Sequence, residues 1–322
     1  MKSNTKTIIL LSFITIIYAS CSKEESKTTT TNNVQTSVTT ARDSALKDYN
    51  EMYLNTDITN AELAWTGNTA NCQEGTISKI AYDRSLQRLN YFRKICGLPY
   101  NMVWNNAWHA PSQKIAMMCY ANNALSHTPP ATWKCYTAEG AAAGQKTNLS
   151  LGRHSSASIQ GQLEDAGANN FATGHRRWIL FSRAQEYGLG STINTGSLYC
   201  IAHISDPLPS NSPAFIAYPP RYIPQSLVFG RWSFGVPNPV SFFSGVDFSN
   251  TTVKMTDSTG KNIPLTIVSK NDDGYGDQTI VWEPSVIQTF LSYDFRYHIV
   301  VDNVMLNGVK KKYEYDVTIF KP

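Results

Sequence analysis

Two histidines carry the pattern most suited to chemistry in this 322-residue chain. His127 ends the run Leu125-Ser126-His127, just ahead of Thr128-Pro129-Pro130, and His175 sits in Gly174-His175-Arg176-Arg177-Trp178-Ile179-Leu180. Neutral imidazoles from separate segments can share a divalent cation. A stable catalytic zinc site takes three protein ligands and one open position. Glu164, Glu139 or His154 would have to supply the third. The chain has no His-Glu-x-x-His spacing and so no dedicated metalloprotease signature; it also lacks a Gly-x-Ser-x-Gly elbow. Two readings of the pair stand level: a weak cation site, with zinc the natural ion, and a structural role. In the structural role His127 caps a helix end and His175 bonds a neighbouring helix. Arg176-Arg177 could form an anion-binding pair at a cavity rim. The commoner arrangement turns one arginine inward against a carboxylate such as Asp165 and leaves the other in water. Asp272, Asp273 and Asp277 could hold calcium with loop carbonyls, but acids in a turn are more simply a turn. Trp104, Trp108, Trp133 and Trp178 could line a lipid groove and are more simply core.

The six cysteines divide by position. Cys21 follows Tyr18-Ala19-Ser20 at the end of an apolar run that begins at Ile8 behind Lys2 and Lys6. That run falls short of the ~20 residues a membrane span needs and fits an export signal. Its end resembles a bacterial lipobox, which makes Cys21 the lipidated first residue of an exported protein. Lys23-Glu24-Glu25 behind it resembles the export tag of surface lipoproteins, so the expected location is the outer membrane, facing outward. The other five, Cys72, Cys96, Cys119, Cys135 and Cys200, show no C-x-x-C spacing. Cys72 and Cys96 flank a helix read over Ile77 to Ile95. At 1.5 Å per residue it is roughly 27 Å long, too far for a bridge whose Cα atoms must lie within ~7 Å. The preferred pairing is Cys72 with Cys135 and Cys96 with Cys119, with Cys200 buried in Leu198-Tyr199-Cys200-Ile201-Ala202 and inert.

The elements that must position these groups follow from periodicity. Ile77, Ile80, Ala81, Leu86, Leu89, Phe92 and Ile95 recur three to four apart, as on an amphipathic helix, which Gly97 and Pro99 stop. A second helix follows Trp108, with Pro111 in its first turn. A third, short helix covers Ser156 to Asp165, and strands fall near Glu186 to Gly190 and Leu198 to His203.

Taken together, Leu89-Asn90-x-x-Arg93, Gly97-Leu98-Pro99 and Trp104, then Leu125-Ser126-His127, then Gly174-His175-Arg176-x-x-Ile179-Leu180 and Gly188-x-Gly190 resemble the CAP superfamily of cysteine-rich secretory, antigen 5 and pathogenesis-related proteins. The resemblance implies a three-layer α-β-α sandwich with both histidines facing one cavity. It makes Asn90, Arg93, Asn148 and Arg176 motif-supporting residues. The family places Gly-Glu-Asn between the histidines. Here the stretch reads Lys146-Thr147-Asn148-Leu149, so Thr147 replaces the acid and Glu164 is the nearest candidate for the second family carboxylate.

Beyond Asp206-Pro207-Leu208-Pro209-Ser210-Asn211-Ser212-Pro213 the composition shifts to Val, Phe, Tyr and turn residues. Short strands are read over Leu227 to Phe234, Val240 to Phe243, Thr252 to Thr256, Ile263 to Ser269, Thr279 to Trp282, Phe295 to Val301 and Tyr313 to Phe320. Asn307-Gly308 is a strong two-residue hairpin signal. Seven short strands suggest an immunoglobulin-like sandwich. The expected organisation is a signal at 1–20, a tether at 21–45, a CAP-like α/β domain at 46–206 and an all-β domain at 214–322. A formal charge of +4 and 16% charged residues give no nucleic-acid footprint. The expected role is a monomeric extracellular module binding a lipid, polymer or protein ligand, held to the membrane by its anchor. The alternative is a metal-assisted hydrolase using His127 and His175.

Overall fold

The computed structural model describes residues 40–289 and 292–322. The signal segment, Cys21 and Lys23-Glu24-Glu25 lie outside the described residues. The helices are α1 (Ala41–Asp48), α2 (Asn60–Leu63), α3 (Lys79–Ile95), α4 (His109–Asn122), α5 (Ala138–Gly144), α6 (Ser155–Glu164) and α7 (Gly174–Ile179). Among the described residues, no helix is long and apolar enough to cross a membrane.

Helix α3 is the periodic segment of the sequence. Ser78 Oγ caps it by accepting from the Ala81 amide at 3.1 Å, and Ala81, Leu89 and Phe92 are buried along it. It ends in a Schellman turn: the Gly97 amide donates to the Lys94 carbonyl and the Leu98 amide to the Arg93 carbonyl. Gly97 has φ +74°, the left-handed position that favours glycine.

Strands β1 (Val103–Trp104), β2 (Thr147–Leu151), β3 (Glu186–Ser191) and β4 (Thr195–Tyr199) form a sheet in the order β1-β3-β4-β2. Helices close tightly on both its faces. A Cβ on Gly190 would collide with the Ser112 backbone of α4, and one on Gly196 with the Ser158 side chain of α6. Only glycine permits helices to approach the strands this closely. The result is a helix-sheet-helix arrangement with β2 at a free edge.

The C-terminal part is strand-rich. It holds β5 (Ile216–Tyr218), β6 (Tyr222–Pro224), β7 (Trp232–Gly235), β8 (Val246–Asp247), β9 (Thr252–Asp257), β10 (Leu265–Ser269), β11 (Thr279–Pro284), β12 (Phe295–Leu306) and β13 (Val309–Phe320). One sheet runs β10-β11-β7-β5, antiparallel throughout. The other runs β6-β13-β12, with β9 and β8 both pairing β12 and β6 parallel to β13. Asn307 and Gly308 join β12 to β13 with φ of +50° and +79°, the geometry that an Asn-Gly hairpin adopts. The strand expected over Val240 to Phe243 is absent: residues 238–245 form an irregular loop. Alternation of apolar residues does not make a strand without a neighbouring edge to pair with.

The segment 206–213 separates helical from strand-rich chain, yet the two parts share one apolar cluster. It runs from Leu89, Phe92, Leu163 and Trp178 through Tyr218, Trp232 and Trp282 to Ile299 and Val317. Thr39–Pro322 is accordingly one compact unit. Helix α1 starts inside the segment expected to be tether, and its Arg42 pairs with Asp294 in the strand-rich part at 3.0 Å.

Of the two expected disulfides, Cys72–Cys135 is present and Cys96–Cys119 is not. Cys96, Cys119 and Cys200 are all buried free thiols. Cys96 sits in the large shared cluster, and Cys119 in a separate one with Ile115, Met118, Ala143 and Leu149. A bridge needs Cα atoms within ~7 Å, and the two residues belong to different layers. Burial pushes the Cys96 thiol up to about 12 and the Cys119 thiol to about 11, and raises Cys200 as well.

Candidate functional site

His127 and His175 do meet. Helix α4 ends at Asn122, whose side chain ties the following loop by donating to the Lys134 carbonyl at 2.9 Å and accepting from the Lys134 amide at 3.0 Å. Within that loop His127 Nδ1 lies 2.8 Å from the Gly144 carbonyl oxygen. A carbonyl only accepts, so Nδ1 carries the hydrogen. On the other side, α6 ends at Asp165, a left-handed residue with φ +54°. The Asp165 carboxylate is buried; its two oxygens accept from His175 Nδ1 at 2.7 Å and from the His175 amide at 2.9 Å. Asn148 on β2 donates to the His175 carbonyl at 2.9 Å. The two imidazole centroids are 6.4 Å apart and inclined by 35°.

Both rings thus have Nδ1 committed to the protein, which leaves each neutral imidazole with Nε2 as its free acceptor. The rings flank a cleft of about 370 Å³ along the β2 edge. Leu125 and Ser126 form one wall, Arg153, Gln162 and Glu164 the other, and Leu149, Ser150 and Leu151 line it between them. Gln162 is buried and donates to Ser150 Oγ at 3.1 Å, while its Oε1 has no protein partner.

Among the described residues, no group of three or more His, Cys, Asp and Glu side chains is placed to hold a metal ion. Glu164 does line the cleft, but its carboxylate is paired with Arg153 at 2.9 Å. Glu139 pairs with Lys114. His154 is the N-cap residue of α6 and has a buried, unpartnered Nδ1. Thr147, where the acid was expected, is buried, and its hydroxyl lies 3.4 Å from the same Gly144 carbonyl that His127 uses.

Residues 86–204 match the family model CAP, the cysteine-rich secretory protein family. No curated protein matches the chain. The other motif residues of this CAP region build the frame. Asn90 accepts from the Met102 amide and donates to its carbonyl. Arg93 is fully buried and donates to the carbonyls of Pro99, Ile179 and Phe181.

The double arginine departs from both expectations. Arg176 and Arg177 are each buried, and neither side chain pairs with Asp165 or faces water. Arg176 donates to the carbonyls of Leu163, Glu164 and Arg231 and stacks over Tyr218. Arg177 donates to the carbonyls of Asp272, Tyr275 and Asp277. Five donors on a planar fork can satisfy several converging carbonyls, and the two side chains thereby fasten α7 to the strand-rich part. Asp277 completes the seam. Its carboxylate accepts from the Ser182 amide and hydroxyl at 2.8 Å each and faces Arg183 at 3.8 Å. It is therefore not grouped with Asp272 and Asp273 around a cation. Asp165, expected as an arginine's partner, instead follows helix α6 as its C-cap and orients His175.

Proposed function

We propose that this chain is an extracellular interaction module, lipid-anchored through Cys21 at the bacterial surface and monomeric, whose CAP region takes its ligand in the cleft between His127 and His175. The arrangement of the two rings carries this reading. Each Nδ1 is fixed, by Gly144 or by Asp165, and each Nε2 is left to accept from a ligand that donates hydrogen bonds. Ammonium, amide and hydroxyl groups of a peptide, a lipid headgroup or a polymer meet that need. The strand-rich part reads as an immunoglobulin-like module. Taking β5, β7, β11 and β10 as A, B, E and D, and β9, β12 and β13 as C, F and G, reproduces the order of the two sheets of that fold.

The test uses residues 40–322 with the imidazoles labelled in 15N. Short peptides, glycerophospholipid headgroups and glycan oligomers are titrated separately. One class should shift the Nε2 resonances of both histidines, and the His127→Ala, His175→Ala double variant should lose that binding. Shifts elsewhere with both imidazoles unmoved would overturn the reading.

A second reading, metal-assisted hydrolysis, is favoured by one observation. A buried carboxylate behind an imidazole Nδ1 is the arrangement that supports metal-ligating histidines, and Asp165 stands so behind His175. Zinc retained stoichiometrically in native mass spectrometry, and lost in the double variant, would move the assignment to this reading.

A further inference from the structure

The loop at residues 238–245 leaves large apolar side chains in water at one end of the strand-rich part. Val240 is 77% exposed and Phe243 68%. Isolated exposed apolar residues are ordinary, but contiguous ones mark contact surfaces. The loop that carries them is held at its base. Phe242 is buried in part and packs edge-on to Phe181, with ring centroids 5.2 Å apart. Asn238 is buried, and its side-chain amide pairs reciprocally with that of Asn307 at 3.0 Å in each direction. The Asn307 amide also donates to the Gly245 carbonyl.

That clamp joins the loop to the tip of the β12–β13 hairpin, and the hairpin brings Val309, 54% exposed, followed by Lys310-Lys311-Lys312. Lys312 is paired with Glu314. Lys310 and Lys311 are exposed and have no ion pair among the described residues. Two acids lie near by register: Asp302 on β12, whose carboxylate accepts from the Asn303 amide, and Asp247 on β8, whose carboxylate accepts from Ser249 and Asn271; neither forms an ion pair with Lys310 or Lys311 among the described residues. One end of the molecule therefore presents Val240, Phe243 and Val309 beside two ammonium groups without an ion pair among the described residues.

We propose that this end docks on an anionic lipid bilayer, with Val240, Phe243 and Val309 entering the headgroup boundary and Lys310 and Lys311 facing lipid phosphates. Apolar insertion and lysine attraction are the two contributions that hold a protein at a membrane surface. A protein partner would need apolar area beyond three side chains at a loop tip, whereas a bilayer accepts such a tip without shape matching. The inference is independent of what enters the histidine cleft.

The test takes residues 40–322, which fall within the compact unit Thr39–Pro322, and sediments them with phosphatidylcholine vesicles, with and without about a third phosphatidylglycerol. Binding is expected to the anionic vesicles and to weaken in high salt. Lys310→Gln and Lys311→Gln should each lower partitioning about fivefold. Phe243→Ser should lower it at least about tenfold, with the melting temperature unchanged in every variant because these side chains are exposed. A wild-type protein that stays in the supernatant, or variants that pellet like wild type, would overturn the proposal. So would concentration-dependent dimers that Phe243→Ser abolishes, since the tip would then belong to a second copy.

Discussion

Replacing Asp277 by alanine tests whether the two parts of the chain are one folding unit. The substitution strips the Ser182 amide and hydroxyl of their common acceptor, each at 2.8 Å, and leaves the Arg183 guanidinium without its facing charge. An orphaned buried donor costs about 1–3 kcal/mol, and breaking a buried charge pair about 3–5 kcal/mol. The expected loss is therefore about 3–5 kcal/mol, a large share of the roughly 5–15 kcal/mol of a typical domain. Urea unfolding followed by tryptophan fluorescence and far-UV circular dichroism measures it. One coincident transition should move to lower urea with its slope unchanged. A loss below about 1 kcal/mol, or wild-type halves that unfold in separate steps, would refute the reasoning, because the seam would then not be what joins them. Asp277→Asn supplies a pH readout. Burial raises the Asp277 carboxyl above its ordinary 3.8. As pH rises the unfolded chain releases this proton first, so the group's contribution is present below that value and declines as pH climbs through the folded one. The stability of wild type relative to Asp277→Asn should accordingly shrink over that window.

Three further outcomes follow from the same geometry. Removing the Cys72–Cys135 bridge, whose residues are 63 apart, should lower stability by about 4 kcal/mol from released loop entropy; thermal melts of Cys72→Ser, Cys135→Ser measure it, and a change under about 1 kcal/mol would contradict the entropic account. Cys96, Cys119 and Cys200 are buried and their thiols raised, so residues 40–322 should show no reaction with Ellman's reagent until unfolded and then titrate all three; fast labelling of the native protein would speak against the packing. Asp165→Asn removes the charged acceptor from His175 Nδ1, a bond worth about 1.5–3 kcal/mol, and should redistribute the His175 tautomers in 15N spectra while His127, held by the Gly144 carbonyl, keeps its own; an unchanged His175 spectrum would show that Asp165 does not set the ring.

Much of the CAP region was legible because its signals are local. Helix α3 announces itself by apolar spacing, a serine cap and a stop at Gly97, and each depends on residues within a few positions. The Asn307-Gly308 hairpin is equally local. Strand β2 and helix α5 carry weak local signals: Thr147-Asn148-Leu149-Ser150-Leu151 is short and half polar, and Ala138 to Gly144 is almost all Ala and Gly, with no large apolar residue to set a period. Their structure comes from pairing with β4 and packing on α4. The Cys96–Cys119 pairing failed because chain order does not reveal on which face of a sheet a helix lies.

The sequence by itself determined the two histidines as a pair, the helices that frame them and the strand-rich character of the C-terminal part, since types, caps and periods act at short range. The tertiary structure decided what those residues do to one another. It buried both Arg176 and Arg177 as fasteners, where one was expected in water, and made Asp165 the partner of His175. It also drew the chain on both sides of the proline-rich segment into one core. A buried charge goes wherever enough acceptors converge to replace its water, and that convergence involves segments as many as 100 residues apart, as for Arg177 and Asp277.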